Sequence, residues 1–325
     1  MLKYILKRIL ILIPTLIVVS MLIFYVVQRM PGDPVAAYLG LGQRITDAQR
    51  EQISQLLGLD GNVVTQYIRW VGRIFQGDFG NSTQTRQPVI DMIGATIWNT
   101  FLLNVVAFVI ASVASIFIGI KQAVKKYKFA DNFWTVVSLF GISVPSFFFA
   151  YCLLFFVGLP LGLPLGGMRD PILLIRGYEN IFANLADLSR HLFLPATVLI
   201  FINLATLTRY VRNAMIDVLN QDYIRTARSK GLKEKIVIYR HGFKNALIPL
   251  VTLLGLFIPS LFSGAVILES VFLWPGIGRS LVQSINTQDN GVTLALMLFL
   301  SLLTMAGNLL SDVLYVVVDP RVKVK

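Results

Sequence analysis

The chain has 325 residues, of which 55% are hydrophobic and only 14% charged, with a formal net charge of +12. Soluble globular chains carry about 25% charged residues, so too few charges are present to cover a water-facing surface, and a soluble enzyme and a disordered chain are both excluded. The single cysteine, Cys152, leaves no intrachain disulfide, and two histidines with one cysteine cannot build a Cys/His zinc site of the usual kind.

A membrane-spanning helix needs about 20 apolar residues. Ile9–Val27 is an uncharged run of 19 residues, 14 of them Leu, Ile, Val or Phe, which inserts without help. Lys3, Lys7 and Arg8 resemble a signal-peptide n-region. The apolar run exceeds the usual h-region of about 7–15 residues, however, and Met30-Pro31-Gly32-Asp33-Pro34 follows in place of a small-residue cleavage site. An uncleaved anchor is therefore expected. The stretch 28–95 balances six basic against six acidic residues and keeps periodic apolar positions such as Ile53, Leu56, Leu57 and Leu59. It reads as a small, partly helical extracytoplasmic cap.

Five further spans follow: Trp98–Ile120, Phe133–Leu161, Leu192–Thr208, Ala246–Leu268 and Val292–Val318. The expected fold is thus an all-α integral membrane protein with six transmembrane helices. It comprises residues 1–27 (N-terminus and first span), the cap 28–95, a five-helix core 96–318 and a tail 319–325. Six spans put both termini on one side. The segments on that side hold nineteen Lys and Arg against five acids, and those on the other side hold ten against eleven. By the positive-inside rule both termini are cytoplasmic. The excess positive charge is then a topology signal and gives no argument for nucleic acid.

The longest cytoplasmic segment, Arg209–Asn245, has its own design. Asp222 can N-cap a short helix from Tyr223 to Lys230, Gly231 fits the left-handed position that ends a helix, and Lys230 in the last turn suits the helix dipole. A second helical stretch, Lys233–Asn245, leads to Pro249. Helix, glycine turn and helix make a segment more ordered than a connector needs, although a basic loop resting on anionic lipid heads is the plain alternative.

D-Y-I-R-T-A-R-S-K-G-L (Asp222–Leu232) resembles the cytoplasmic loop of permease subunits of bacterial ATP-binding-cassette importers, in particular the dipeptide/oligopeptide/nickel branch. Further marks of that branch follow in order: P-G-D-P (Pro31–Pro34), G-D-x-G-x-S (Gly77–Ser82), S-x-P-S-F (Ser143–Phe147), E-x-V-F-x-x-P-G-I-G-R (Glu269–Arg279) and D-P-R (Asp319–Arg321). Two departures from the general pattern stand out: Arg225 in place of Glu, and Pro249 lying 18 residues after Gly231.

The resemblance implies a type I importer permease in the bacterial inner membrane, in which Asp222, Tyr223, Arg225, Thr226, Ala227, Arg228, Ser229, Lys230 and Gly231 form a coupling helix docking on a cytoplasmic ATPase. Small Ala227 and Ser229 would permit close approach, and Arg225, Arg228 and Lys230 would supply polar contacts. It implies two ATPase subunits that bind ATP and Mg, a second permease subunit, and an extracytoplasmic binding protein that selects the cargo. This chain would bind no cofactor and catalyse nothing. Peptides are the expected cargo, with a nickel or other metal chelate as the alternative.

The chain has no G-x-x-x-x-G-K-[ST] phosphate loop, so ATP is expected on other chains. A secondary transporter usually carries more intramembrane ionisable residues or internal repeats. His191, at a span edge, and His241, in a cytoplasmic loop, offer no buried Ser/His pair for an intramembrane hydrolase.

Polar residues inside spans face protein or water. Ser301, Thr304, Asn308, Asp312 and Tyr315 form one stripe on the last span, and Thr252, Gly255, Pro259 and Ser263 share a face of the fifth. Thr252, Gly255, Pro259, Ser263, Ser301, Asn308 and Asp312 are candidates for the translocation path, against a reading as helix-packing groups. Asp312 needs a partner, for which Arg209 or Arg212 is near. Asn104 and Asn203 read as packing amides, and Glu269 as a gate, a docking residue or an ordinary interfacial acid.

Overall fold

The computed structural model describes residues 2–39, 46–56, 58–263 and 265–318. Leu57, the tail 319–325 with its D-P-R motif, and the side chains of Thr252 and Tyr315 lie outside the described residues. Within them the regular secondary structure is helical, joined by turns and irregular segments, with an isolated bridge between Asn81 and Pro88.

The uncharged run at the start becomes α1 (Leu2–Gln28). Short helices α2 (Pro34–Leu39), α3 (Asp47–Leu56) and α4 (Val63–Phe75) follow. The next long helix, α5, covers Val89–Val124 and so takes in the last residues of the stretch 28–95. α6 (Phe129–Ser143) and α7 (Ser146–Leu153), the latter continued by a π turn at Leu154–Gly158, are followed by α8 (Pro171–Arg176) and the 39-residue α9 (Ile181–Leu219). Then come α10 (Asp222–Ser229) and α11 (Glu234–Ile236) with a π segment at Val237–Phe243. α12 (Lys244–Leu256), α13 (Ile258–Phe262), α14 (Val266–Val271), α15 (Ile277–Asn286) and α16 (Asn290–Val318) complete the described chain.

Among the described residues α1, α5, α9 and α16 are long and apolar enough to cross a membrane alone, and α6 with α7 makes a fifth candidate as a bent pair. Three expected spans differ from the sequence reading. Phe133–Leu161 is no single helix: it turns by 105° between α6 and α7. Pro145 cannot donate a backbone bond to the preceding turn, and Val144 before it is extended. Ala246–Leu268 divides into α12, α13 and α14, with Pro259 opening α13. Leu192–Thr208 is too short, because α9 continues through Arg209 to Leu219 and removes eleven residues from the expected loop.

Packing sets the direction of each helix. Leu103 and Ala196 share one core cluster, and Ile120 and Val211 another, so α5 and α9 run parallel. Gly119 allows this contact, since a Cβ there would lie 2.6 Å from Val211 Cβ. Val89 and Ile93 pack with Val292 and Leu296, so α16 runs the same way. α1 runs against α16: its end (Phe24, Val27) meets Leu294, and Arg8 meets Asp312. α6–α7 runs against α9, from Asp131 beside Arg212 to Ala150 beside Leu194. The α12–α13 pair also runs against α16, with Gly255 beside Ser311 and Gly307 against Pro259.

Most of the sequence marks become punctuation. In P-G-D-P, Asp33 Oδ1 accepts the Val35 N–H at 3.0 Å and starts α2. In G-D-x-G-x-S, Ser82 donates to Asp289 Oδ2 at 2.5 Å, tying the segment before α5 to the start of α16. In S-x-P-S-F, Pro145 makes the 105° turn. In E-x-V-F-x-x-P-G-I-G-R, Glu269 is fully buried. It accepts from the Thr100 hydroxyl at 2.8 Å and the Arg279 N–H at 3.1 Å, so its carboxylate faces the protein interior.

Candidate functional site: the elbow at α10

α9 ends at Asn220, and Gln221, in an extended conformation, caps the next helix. Asp222 is therefore the first residue of α10 and not its N-cap: no side-chain cap bond forms, and the helix is Asp222–Ser229. An acid in the first turn still suits the helix dipole. At the other end Lys230 is the C-cap and Gly231 has φ +75°, as expected for the residue that ends the helix. Two bonds close the end: Lys230 N–H to Thr226 O at 3.1 Å, and Gly231 N–H to Arg228 O at 2.9 Å.

The helix has two faces. Ile224 and Ala227 are buried against Val237 and Leu219. Ala227 thus seats α10 on its own chain and does not offer the expected close approach to a partner. Asp222, Tyr223, Arg225, Thr226, Arg228, Ser229 and Lys230 are exposed. Arg228 Nη2 reaches Glu234 Oε1 at 2.8 Å and braces α10 against α11. That hydrogen bond holds the Glu234 carboxyl below, and the Arg228 guanidinium above, their ordinary ranges. Beneath the elbow, Ile120, Ala123, Val211, Met215, Ile238, Ala246 and Leu250 form one core. α10 therefore stands on a packed block made from the ends of α5 and α9, the π segment and the start of α12.

The described candidate path residues make the following contacts within this chain. Ser301 and Thr304 each donate to a carbonyl of their own helix, Met297 O and Leu300 O, at 2.8 Å. Gly255 and Pro259 pack on α16, and Ser263 bonds locally to Ser260 O at 3.3 Å. Asp312 is bound by Arg8, at 3.0 Å through both oxygens, and not by Arg209 or Arg212. Of the expected stripe, Asn308 is exposed. Asn104 donates to Leu261 O at 3.2 Å in the broken α13, in keeping with a packing amide.

Sequence reasoning missed three polar pairs because each joins distant segments: Arg8–Asp312, Asp131–Arg212 and Thr100–Glu269. His191, expected at a span edge, lies buried inside α9 with its Nδ1 3.1 Å from Asp187 Oδ1. Among the described residues no group of three His, Cys, Asp or Glu could hold a metal ion.

A helical membrane domain carrying a polar elbow on one end has clear relatives. The chain belongs to the family of binding-protein-dependent transport system inner membrane components, which matches residues 111–324, and the corresponding N-terminal family matches residues 1–104. It is a transport subunit and carries no catalytic role. The chain is 40% identical to the oligopeptide transport system permease protein AppB of Bacillus subtilis (strain 168), over 99% of this chain and all of that protein. It is 38% identical to the dipeptide transport system permease protein DppB of Haemophilus influenzae, again over 99% and 100%. It is 37% identical to the glutathione transport system permease protein GsiC of Escherichia coli (strain K12), over 100% of both chains.

Proposed function

We propose that this chain is the membrane-spanning permease of an ATP-driven importer of peptides, with both termini in the cytoplasm and the cap outside. Six passes are supported by the alternation of direction: α1, α6–α7 and α12–α14 run one way, while α5, α9 and α16 run the other. The bent and broken passes complete a crossing together with their neighbours. A helix of eight residues cannot move a bundle unless it is stiffly seated, and α10 rests on Ile224 and Ala227 over a packed block. That seating is the observation that carries the coupling role. Its exposed face, Tyr223 to Lys230, would dock on one of two ATPase subunits, whose closure on ATP and Mg would bias a two-state membrane domain. A second permease chain would complete the path, and an extracytoplasmic binding protein would deliver the cargo. Relatives that share the full length carry peptide cargoes in their names, and a path with few fixed charges suits neutral amides with variable side chains.

The experiment is reconstitution. The purified complex in liposomes, with its binding protein outside, should accumulate a labelled di- or oligopeptide only with ATP inside. ATP-independent uptake by this chain alone would reject the reading.

A further inference from the structure

Asp131 is almost wholly buried at the start of α6, an unusual place for a carboxylate. Arg212 of α9 grips it with two bonds, Nε to Oδ1 at 2.6 Å and Nη2 to Oδ2 at 2.7 Å. A planar fork of this kind fixes orientation as well as distance. Asp131 Oδ2 also accepts the Tyr127 N–H at 2.9 Å, which holds the α5–α6 turn with Tyr127 at φ +63°, a conformation L-residues disfavour. Gln122 of α5 donates to Asp131 Oδ1 at 3.4 Å and to the Asp131 backbone carbonyl at 3.2 Å. One carboxylate therefore ties three helices together.

The position of the pair gives it a use. Arg212 sits beside Val211, a member of the core beneath α10. Asp131 opens α6, the helix that ends in the 105° turn. Between the elbow and that turn, α6 meets α5 and α9 through this buried polar knot at one end and through small-residue contacts such as Gly141 on Ala205 further along. Apolar small-residue contacts can slide, whereas a two-pronged ion pair resists both sliding and rotation. Gln122 Oε1 is buried without a hydrogen-bond partner. An open acceptor inside the knot suits a network with a second bonded arrangement.

We infer that Asp131 and Arg212 form a positioning joint that carries displacement of the cytoplasmic elbow into α6, so that α6 moves as one body with α9. This rests on the reading of α10 as the ATPase-coupling element, and it adds residues outside that element. Neither residue touches ATP or cargo.

The test uses the full complex in nanodiscs, with Cys152→Ser as background and spin labels at exposed Asn220 and Val136. In the otherwise unchanged complex the label-to-label distance should be the same with and without a trapped nucleotide, because block and α6 move together. In Arg212→Gln it should change on nucleotide trapping, and peptide uptake per ATP hydrolysed should fall at least tenfold. Arg212→Lys, which keeps the charge but loses the fork, should fall between, which guards against a variant that merely misfolds. An unchanged distance in Arg212→Gln would overturn the joint. So would uptake and hydrolysis falling in proportion, as a purely structural role requires. If the unaltered complex moves no peptide yet the labels behave as described, the cargo reading fails while the joint stands.

Discussion

Arg8 on the first helix and Asp312 on the last hold each other at 3.0 Å, across 304 residues of chain. An unpaired acid costs about 2.5–3.5 kcal/mol at the centre of an apolar helix and less toward its end, where Asp312 lies, and a basic partner on the neighbouring helix offsets that cost. Removing Arg8 alone should therefore hurt more than removing both charges. We expect Arg8→Met to be less stable than Arg8→Met/Asp312→Asn, with a coupling energy of about 0.5–3 kcal/mol. Thermal unfolding in detergent of the four members of the cycle measures this. Simple additivity would mean that the two side chains do not act on each other.

The Glu269 site makes a second prediction through its neighbours. A Cβ on Gly276 would lie 2.5 Å from both Glu269 Cδ and Thr100 Oγ1, and one on Gly278 would lie 2.6 Å from the Val266 Cα. The Gly278 clash is with backbone and cannot be relieved by a rotamer change. Gly278→Ala should destabilise by about 1–3 kcal/mol, whereas Gly94→Ala, with nothing within 4 Å of the new carbon, should not destabilise. The unfolding temperature of each variant decides it.

How far the sequence could go is clear from these cases. Long apolar runs, uncharged over Ile9–Val27 and broken only by Asp312 in the last span, announce α1 and α16 because lipid leaves a helix no alternative to satisfying its own backbone. Gly231 was legible because helix termination is local chemistry. Prolines 145 and 259 were visible too, yet their effect was not, since whether a proline kinks or breaks a helix depends on the packing around it; Asn104, far away in sequence, binds the Leu261 carbonyl where the broken α13 ends. Sequence position points to nearby Arg209 or Arg212 as the partner of Asp312, but the closing of α1 onto α16 brings Arg8 there instead. The faces of α10 could not be read either: at eight residues the outward and inward stripes are fixed by Val237 and Leu219, which flank the helix.

That division of faces separates two variants of α10. Ala227→Trp must push Ile224 and Val237 apart, so it should lower thermal stability by about 1–3 kcal/mol and abolish uptake. Ser229→Trp, on the exposed face, should leave stability within about 0.5 kcal/mol while uptake and co-purification with the ATPases are lost. Equal stability losses in both variants would show that the exposed face has no separate role.

The brace between α10 and α11 titrates. Glu234 has its carboxyl held low, first by the hydrogen bond from Arg228, against partial burial that pushes it up. A depressed carboxyl contributes stability that is fully present above its unfolded value, about 4.3, and is lost as pH falls through the folded one. The raised Arg228 adds no pH dependence below that of any arginine. The two side chains are 46% and 54% exposed, so solvent screens the pair and its worth is at most about 1 kcal/mol. The stability gap between the unaltered chain and Glu234→Gln should therefore be small at pH 7, shrink below about pH 4, and vanish in about 1 M salt, where the screening length is about 3 Å. Detergent-solubilised protein unfolded at pH 7, 5 and 3.5 reads this directly. A gap that stays the same from pH 7 to 3.5 would assign the effect to packing of the Glu234 stem, with the ion pair uninvolved.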